Sequence, residues 1–100
     1  MTVACIVQAR MTSERLPGKM MLSLGGEPCI RHVLRRCQAI SGVDVVICAV
    51  PNDRNSDPIA HEAHTLGCRV TFGSEHDVLT RYRNAARAVH ADVIMRVTGD

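Results

Sequence analysis

The sequence predicts an α/β fold in which a parallel sheet lies between two layers of helices. Four short apolar runs have the length of strands, and a segment with helical periodicity follows each of the first three. Glycine or proline marks most of the junctions between them. Strict alternation of strand and helix requires right-handed crossovers and a parallel sheet. In a doubly wound sheet the four strands take the order 3-2-1-4, with the switch point between strands one and four.

The first predicted strand and the segment after it differ in character. Residues 3–7 are apolar and rich in β-branched side chains, which predicts a buried strand. Residues 8–19 show no helical period and contain the Pro-Gly pair at positions 17 and 18, which predicts a loop. Residues 20–24 are expected to be briefly extended before two consecutive glycines.

The first and second helices carry signals at their ends. Pro28 suits the first turn of the first helix, and Gly42 closes it. The apolar face of this helix comprises Ile30, Val33, Leu34, Cys37 and Ile40, and its outer face Arg31, Arg35 and Arg36. For the second helix, Asp57 is the expected cap, Pro58 fits the first position and Gly67 fits the exit. Its narrow apolar face comprises Ile59, Ala63 and Leu66.

The other strands precede and follow these helices. Residues 43–50 form an almost unbroken apolar run, as expected for the second strand of a parallel sheet. Residues 69–72 are the third strand, residues 73–76 a turn, and residues 93–97 the fourth strand. The third helix has Arg83 and Arg87 facing water, and its apolar face comprises Val78, Leu79, Tyr82, Ala85, Ala86 and Val89.

Composition and charge exclude several classes of function. The net charge of +2 is too weak for a nucleic-acid footprint, and the two aromatic residues, Phe72 and Tyr82, are too few for a stacking platform. No apolar run is long enough to span a membrane, and the first residues lack the basic region of a signal peptide. Five cysteines without C-x-x-C spacing, three of them within apolar patterns, indicate reduced thiols. We therefore expect a cytoplasmic protein without a zinc–thiolate site.

The excess positive charge lies in one decapeptide. Residues 10–19 contain three basic residues and one acidic residue, so the rest of the chain is neutral overall. Such a segment has what a triphosphate requires: Ser13 and backbone amides donate hydrogen bonds, Gly18 permits close approach, and the cations offset phosphate charge. Lys19 is the only lysine among twelve basic residues, which favours a point-charge role. The spacing is not that of a Walker A loop, and a surface segment with merely solvated charges is the alternative.

The predicted topology points to the same segment. Ligands of doubly wound sheets bind at the carboxyl ends of the strands beside the switch point. The segments found there are the basic loop after strand one and residues 99–100 after strand four. A loop that neutralises phosphate would therefore face the carboxylate of Asp100, which can hold a metal ion.

Residues 8–19 read Q-A-R-M-x-S-x-R-L-P-G-K. This order resembles the amino-terminal motif of the cytidylyltransferase family, which includes the acylneuraminate cytidylyltransferases and the spore-coat polysaccharide biosynthesis proteins of the SpsF type. Resemblance to the SpsF type continues in L-G-G-x-P at 24–28, D-P-I-A at 57–60, G-S-E-x-D-V-L-x-R-Y at 73–82 and R-V-T-G-D at 96–100. The chain departs from its relatives at Thr12, where many have glycine, and at residues 71–72, where an arginine often precedes the glycine.

The resemblance implies a three-layer Rossmann-like fold of the nucleotide-diphospho-sugar transferase type and a role in polysaccharide biosynthesis. It implies transfer of CMP from CTP to a sugar, such as a nonulosonic acid or a related cell-surface sugar, with release of pyrophosphate and with Mg²⁺ as cofactor. The predicted catalytic residues are Arg10 and Lys19, as ligands of the triphosphate, and Asp100, as the ligand of Mg²⁺. The predicted nucleotide-binding residues are Ala9, Arg10, Ser13, Arg15, Gly18, Lys19, Ser74 and Thr98.

The resemblance further implies that residues 1–100 are the amino-terminal, nucleotide-binding part of a longer domain, truncated after Asp100. Relatives continue into strands that supply a second metal carboxylate and the sugar pocket. Strand four would then have an unpaired edge, through which a homodimer could form. Two alternatives remain open. The enzyme could use another nucleoside triphosphate, because the phosphate loop does not read the base, or the chain could be a non-catalytic nucleotide-binding module.

Other polar residues have more local interpretations. The sequence H-E-A-H at 61–64 does not match H-E-x-x-H, so we do not expect it to bind metal. Asp77 and Arg81 are spaced either for a helix cap with an ion pair or for contacts to the sugar. Arg96 lies in a pattern typical of a buried strand and therefore needs a partner, either a substrate phosphate or an internal carboxylate.

Overall fold

The computed structural model describes residues 1–9, 18–73 and 77–98, and gives only the backbone of Val78 and Thr98. Four parallel strands form its main sheet, in the order β5-β4-β1-β6. Their bounds are β1 (Val3–Gln8), β4 (Val45–Pro51), β5 (Arg69–Gly73) and β6 (Val93–Thr98). The predicted order 3-2-1-4 is therefore confirmed, and the switch point lies between β1 and β6.

Helices cover both faces of this sheet. Their bounds are α1 (Cys29–Gln38), α2 (Asp57–Thr65) and α3 (Val78–Ala88). Alternate side chains of β1 point to opposite faces, so Cys5 and Val7 pack in the core beneath α1 and α2, whereas Ala4 and Ile6 pack beneath α3. The predicted three-layer architecture is confirmed. None of these helices has the length and apolar character needed to cross a bilayer, among the residues that the structure describes.

The connection from the basic segment to α1 contains two elements that the sequence did not predict. Residues Lys19–Met21 form one turn of 3-10 helix instead of an extended segment. A short antiparallel hairpin follows, β2 (Ser23–Leu24) and β3 (Glu27–Pro28), whose turn places Gly25 and Gly26 at positive φ. The expectation of extended chain over residues 20–24 is therefore wrong at its start, because Met20 turns inward and is fully buried in the core.

The start of α2 also differs from the prediction. Asp57 is the first residue of the helix, not its cap. A 3-10 turn, Arg54–Ser56, joins α2 directly, and Asp53 caps that turn. The Oδ1 atom of Asp53 accepts hydrogen bonds from the amide of Ser56 (2.9 Å) and from its hydroxyl (3.0 Å). The exit at Gly67, with φ of 81°, agrees with the prediction.

The helix α3 begins with a side-chain cap. Asp77 accepts hydrogen bonds from the amide of Thr80 (3.0 Å) and from its hydroxyl (2.6 Å), and these bonds lower the pKa of the Asp77 carboxyl. Arg83 and Arg87 are exposed, as predicted, but Leu79 is 62% exposed rather than part of the apolar face. Leu79 lies beside Ile94 and Arg96 of β6, which is an outer strand of the described sheet, in an open cavity.

The strand β6 is likewise more exposed than its apolar sequence suggests. Val93, Ile94 and Met95 are each between 37% and 42% exposed. Arg96 is also exposed, and its guanidinium lies 5.2 Å from the centre of the Tyr82 ring. The expectation that Arg96 is buried is therefore wrong, and the described contact is with an aromatic ring rather than a carboxylate.

The cysteines are free thiols, four of them buried. Burial raises the pKa of Cys5 to about 12, with smaller contributions from a hydrogen bond and charge repulsion with Cys37, and burial raises the pKa of Cys48 to about 12. Because a reagent must reach the sulfur and Cys29 is the one cysteine that is not buried, we expect only Cys29 to react with a thiol reagent at about pH 8 in the folded protein. The other four should react after denaturation in urea, as measured by Ellman titration. Rapid reaction of more than one thiol in the folded protein would contradict this prediction.

These raised pKa values also determine a pH dependence of stability. A thiol that titrates at about 12 in the folded protein and near 9 when unfolded contributes stability that is fully present below about pH 9. That contribution is lost as the pH rises toward 12, since the unfolded chain then releases protons that the folded protein retains. The midpoint of urea unfolding should therefore fall steadily above about pH 9.

Candidate functional site

The carboxyl ends of the strands lie at one edge of the sheet. Gln8 at the end of β1 pairs with Thr98 of β6 and with Ala49 of β4, and Pro51 of β4 pairs with Gly73 of β5. The described chain is interrupted after Ala9, Gly73 and Thr98, so residues 10–17, 74–76 and 99–100 all continue from this edge. The structure therefore brings together the attachment points of the three segments that carry the predicted site.

Packing fixes both ends of the basic segment. At its start, Ala9 is buried and its amide donates to the carbonyl of Ala49 (3.1 Å), which extends the pairing of β1 with β4. At its end, the amide of Met21 donates to the carbonyl of Gly18 (3.0 Å), which closes the 3-10 turn. Fully buried Met20 holds this turn against the core shared with α1 and α2. The segment 10–17 thus connects two anchored points.

Lys19 lies on this anchored turn. Its side chain is partly exposed, while the buried Met20 follows it in the chain. Gly18 has φ of 75°, a left-handed conformation that side-chain-bearing residues rarely adopt. The backbone therefore requires glycine at position 18 independently of any ligand. Because the backbone of this turn is fixed, only the side chain of Lys19 has to become ordered when it binds a phosphate group.

Only some of the predicted site residues lie within the described part of the chain. Arg10, Ser13, Arg15, Ser74 and Asp100 lie outside it, and Thr98 is described by its backbone alone. Ala9, Gly18 and Lys19 are placed as set out above. Among the described residues, no three His, Cys, Asp or Glu side chains lie close enough to hold a metal ion.

A buried polar pair, which is not among the predicted site residues, lies at the same edge. The Nε atom of Arg81 donates a hydrogen bond of 2.6 Å to Oε1 of Gln8. Arg81 is 3% exposed and Gln8 6% exposed. Two signals were present in the sequence: Gln8 continues the row of Ala4 and Ile6 that faces α3, and Arg81 precedes buried Ala85 by one helical turn.

Gly73 lies directly against the side chain of Arg81. A Cβ atom at position 73 would come within 2.8 Å of Cγ and 3.5 Å of Cδ of Arg81. The first distance is too short for any real contact, so a larger residue would displace Arg81. The glycine that ends β5 is thus explained by the close approach of a buried guanidinium side chain.

A doubly wound sheet with an anchored, cation-bearing segment at its switch point is typical of nucleotide-binding α/β proteins. Residues 4–100 match the family described as Cytidylyltransferase. The chain belongs to the cytidylyltransferase family, and the resemblance found in the sequence is confirmed.

Individual relatives agree with this assignment. The spore coat polysaccharide biosynthesis protein SpsF of Bacillus subtilis is 39% identical over 101 residues, covering 95% of this chain and 41% of its own length. A cytidylyltransferase structure from Leptospira borgpetersenii matches with a TM-score of 0.93 and 34% identity, covering 100% of this chain and 42% of its own. The structure of a CMP:2-keto-3-deoxy-manno-octonic acid synthetase complexed with CTP matches with a TM-score of 0.82 and 27% identity, covering 100% and 41%. The chain spans about two fifths of the length of the curated relatives it matches.

Proposed function

We propose that this chain supplies the CTP-binding part of an enzyme that transfers CMP from CTP to a sugar and releases pyrophosphate. The observation that carries the proposal is a basic segment that begins at the end of β1, beside the switch point of a cytidylyltransferase sheet, and ends in the anchored turn bearing Lys19. The similarity of the whole chain to a structure complexed with CTP supports it. Two of the relatives are named for spore coat polysaccharide biosynthesis and for 2-keto-3-deoxy-manno-octonic acid, which favours an acidic cell-surface sugar, such as a nonulosonic acid, as the acceptor.

In the proposed reaction, a hydroxyl of the sugar attacks the α-phosphorus of CTP and releases its proton to water. The bond from the α-phosphorus to the bridging oxygen breaks, and pyrophosphate leaves with the electron pair. No covalent bond to the protein is needed, so the protein aligns the reactants and stabilises the charge that moves onto the leaving group. Arg10 and Lys19 would hold the β- and γ-phosphates, and Ser13, Ser74 and the amide of Gly18 would donate hydrogen bonds to the nucleotide.

We further propose that Asp100 holds Mg²⁺ together with phosphate oxygens of the nucleotide. The support is the register of the sheet: Asp100 lies two residues beyond Thr98, which pairs with Gln8, and the basic segment begins two residues beyond Gln8. A carboxylate and phosphate oxygens are the ligands that Mg²⁺ prefers. The ion supplies positive charge to the leaving group and fixes the geometry of the phosphates.

A second candidate is a nucleotide-binding module without catalytic activity of its own. It is favoured because the feature that the described residues establish, the anchored turn with Lys19, concerns nucleotide binding rather than catalysis. Thermal unfolding in the presence of CTP, UTP, GTP or ATP, each with Mg²⁺, tests the base preference. We expect CTP to raise the unfolding temperature most, because a ligand stabilises the folded state that binds it. Stabilisation by GTP or ATP instead would indicate another nucleotide, and no stabilisation by any of them would contradict nucleotide binding.

Turnover separates the two candidates. The enzyme proposal predicts release of pyrophosphate from CTP and an acidic sugar by a protein that has the family's full length. A protein of that length that binds CTP but releases no pyrophosphate with any acidic sugar would favour the non-catalytic module.

Asp100→Asn tests the metal site. We expect the variant to lose the increase in CTP affinity that Mg²⁺ gives, while CTP binding without metal stays equal or becomes tighter, because a negative charge near the phosphates is gone. Titration calorimetry with and without Mg²⁺ measures both quantities. Asp92→Asn, just before the opposite end of β6, is the control, because the asparagine oxygen can still accept the hydrogen bond that Asp92 receives from the amide of Thr2 (2.7 Å). An Asp100→Asn variant with an undiminished effect of Mg²⁺ would contradict the proposed ligand.

A further inference from the structure

The Arg81–Gln8 pair joins three elements at the carboxyl edge of the sheet. Arg81 lies one turn into α3, its side chain packs against Gly73 at the end of β5, and its Nε atom binds Gln8 at the end of β1. Both side chains are almost fully buried. Burial of a guanidinium is costly unless its hydrogen bonds are well formed, so its position is closely specified.

These contacts lie next to two of the segments in the proposed site. Gln8 is two residues before Arg10, and Gly73 immediately precedes Ser74. The first turn of α3, which carries Arg81, is also fixed at its start. The amide of Arg81 donates to the carbonyl of Asp77 (3.2 Å), and the side chain of Asp77 caps α3. A change in the position of Arg81 would therefore shift the end of β1 and the end of β5 relative to each other.

We propose that Arg81 is a positioning residue, which ties the end of β1 to the end of β5 and so aligns the segments that carry Arg10 and Ser74 with one nucleotide. This inference rests on the proposed CTP site and adds a residue that acts through other residues. Arg81 itself is too deeply buried to serve as a surface ligand. Its role explains why a glycine ends β5, since a Cβ atom there would push Arg81 away from Gln8.

The test replaces both members of the pair. Arg81→Met alone leaves the Gln8 amide without this donor and is expected to be destabilising, so the decisive variant is Gln8→Met combined with Arg81→Met. Because both members of the pair are removed, the double variant is expected to lose less free energy of unfolding than Arg81→Met alone, and circular dichroism verifies that it is folded. Ile6→Val, in the same row of β1, is a control that disturbs the core beneath α3 without touching the pair.

Two measurements are made on the chain. Hydrogen exchange by NMR reports on two amides beside the pair: Ala9, which donates to Ala49, and Asn52, which donates to the carbonyl of Gly73 (2.7 Å). We expect both to exchange at least fivefold faster in the double variant, and neither to change in Ile6→Val. Titration with CTP should show that the double variant binds CTP at least fivefold more weakly. Arg10→Ala should then reduce the CTP affinity of the double variant by a smaller factor than it reduces that of the unaltered chain.

The outcomes are distinguishable. If the unaltered chain binds CTP and the double variant binds it equally well, Arg81 does not position the site. If the unaltered chain binds no CTP, the proposed function fails, and the exchange rates of Ala9 and Asn52 alone decide on the positioning role. Unchanged exchange in a folded double variant would overturn it. Gly73→Ala, which displaces Arg81 without removing a polar group, should reproduce the faster exchange of the same two amides.

Discussion

CTP binding should weaken roughly tenfold or more in Lys19→Ala, while the free energy of unfolding stays nearly unchanged. A charge-assisted hydrogen bond to phosphate contributes about 1.5–3 kcal/mol. The side chain of Lys19 is partly exposed, and the packing of its turn comes from Met20, so the truncation removes a charge and little apolar contact. Titration calorimetry with CTP measures the first quantity, and urea unfolding the second.

The control for Lys19→Ala must remove a cation whose side chain makes no contact that stabilises the fold. Arg36 meets this requirement, because it is exposed on α1 and has no polar contact with another side chain among the described residues. Arg31 does not, although the sequence places it on the outer face of the same helix. Its Nη1 atom donates to Glu62 (2.9 Å) and to the hydroxyl of Thr65 (2.8 Å), which ties α1 to α2. Equal CTP affinity in Lys19→Ala and Arg36→Ala would indicate that the charge of Lys19 is merely solvated.

The arrangement of the sheet could be predicted because it depends on pattern alone. Four apolar runs with intervening helices leave few ways to cover both faces of a sheet, and the handedness of the crossovers selects among them. The burial of β4, an almost unbroken apolar run, follows from the same reasoning. The location of the basic segment beside the switch point follows from this order, without knowledge of any side-chain contact.

The errors in the prediction have a common cause, which is that tertiary contacts decide between local alternatives. Residues 20–24 looked extended, yet burial of Met20 requires a turn at Lys19–Met21. The sequence predicted Asp57 as the cap of α2, but the added 3-10 turn starts the helical segment earlier, and Asp53 caps it. The spacing of Asp77 and Arg81 indicated either a local cap with an ion pair or contacts to the sugar, whereas the hydrogen bond of Arg81 to Gln8 joins residues 73 positions apart. No local pattern reports such a contact.

The same reasoning makes Met20 the most sensitive position of the anchored turn. Met20→Ala should lower the free energy of unfolding by about 2–5 kcal/mol, because the side chain is fully buried and its loss leaves a cavity. It should also weaken CTP binding at a temperature where the variant remains folded, since the turn that presents Lys19 loses its anchor. Circular dichroism verifies folding, and CTP titration measures affinity. Met20→Leu nearly keeps the volume of the side chain, so this variant should retain most of the stability and most of the CTP affinity of the unaltered chain.

A matched core substitution separates the anchoring role of Met20 from general destabilisation. Leu34 of α1 is fully buried in the same core cluster but outside the turn. Leu34→Ala should cost a similar amount of stability, about 2–5 kcal/mol, and leave the CTP affinity of the folded protein nearly unchanged.

Because Lys19 acts through a charge and Met20 through the position of that charge, Met20→Ala should cost less CTP affinity in a Lys19→Ala background than on its own. Equal losses of CTP affinity in Leu34→Ala and Met20→Ala would show that binding follows overall stability, and the anchored turn would then have no special part in holding the nucleotide.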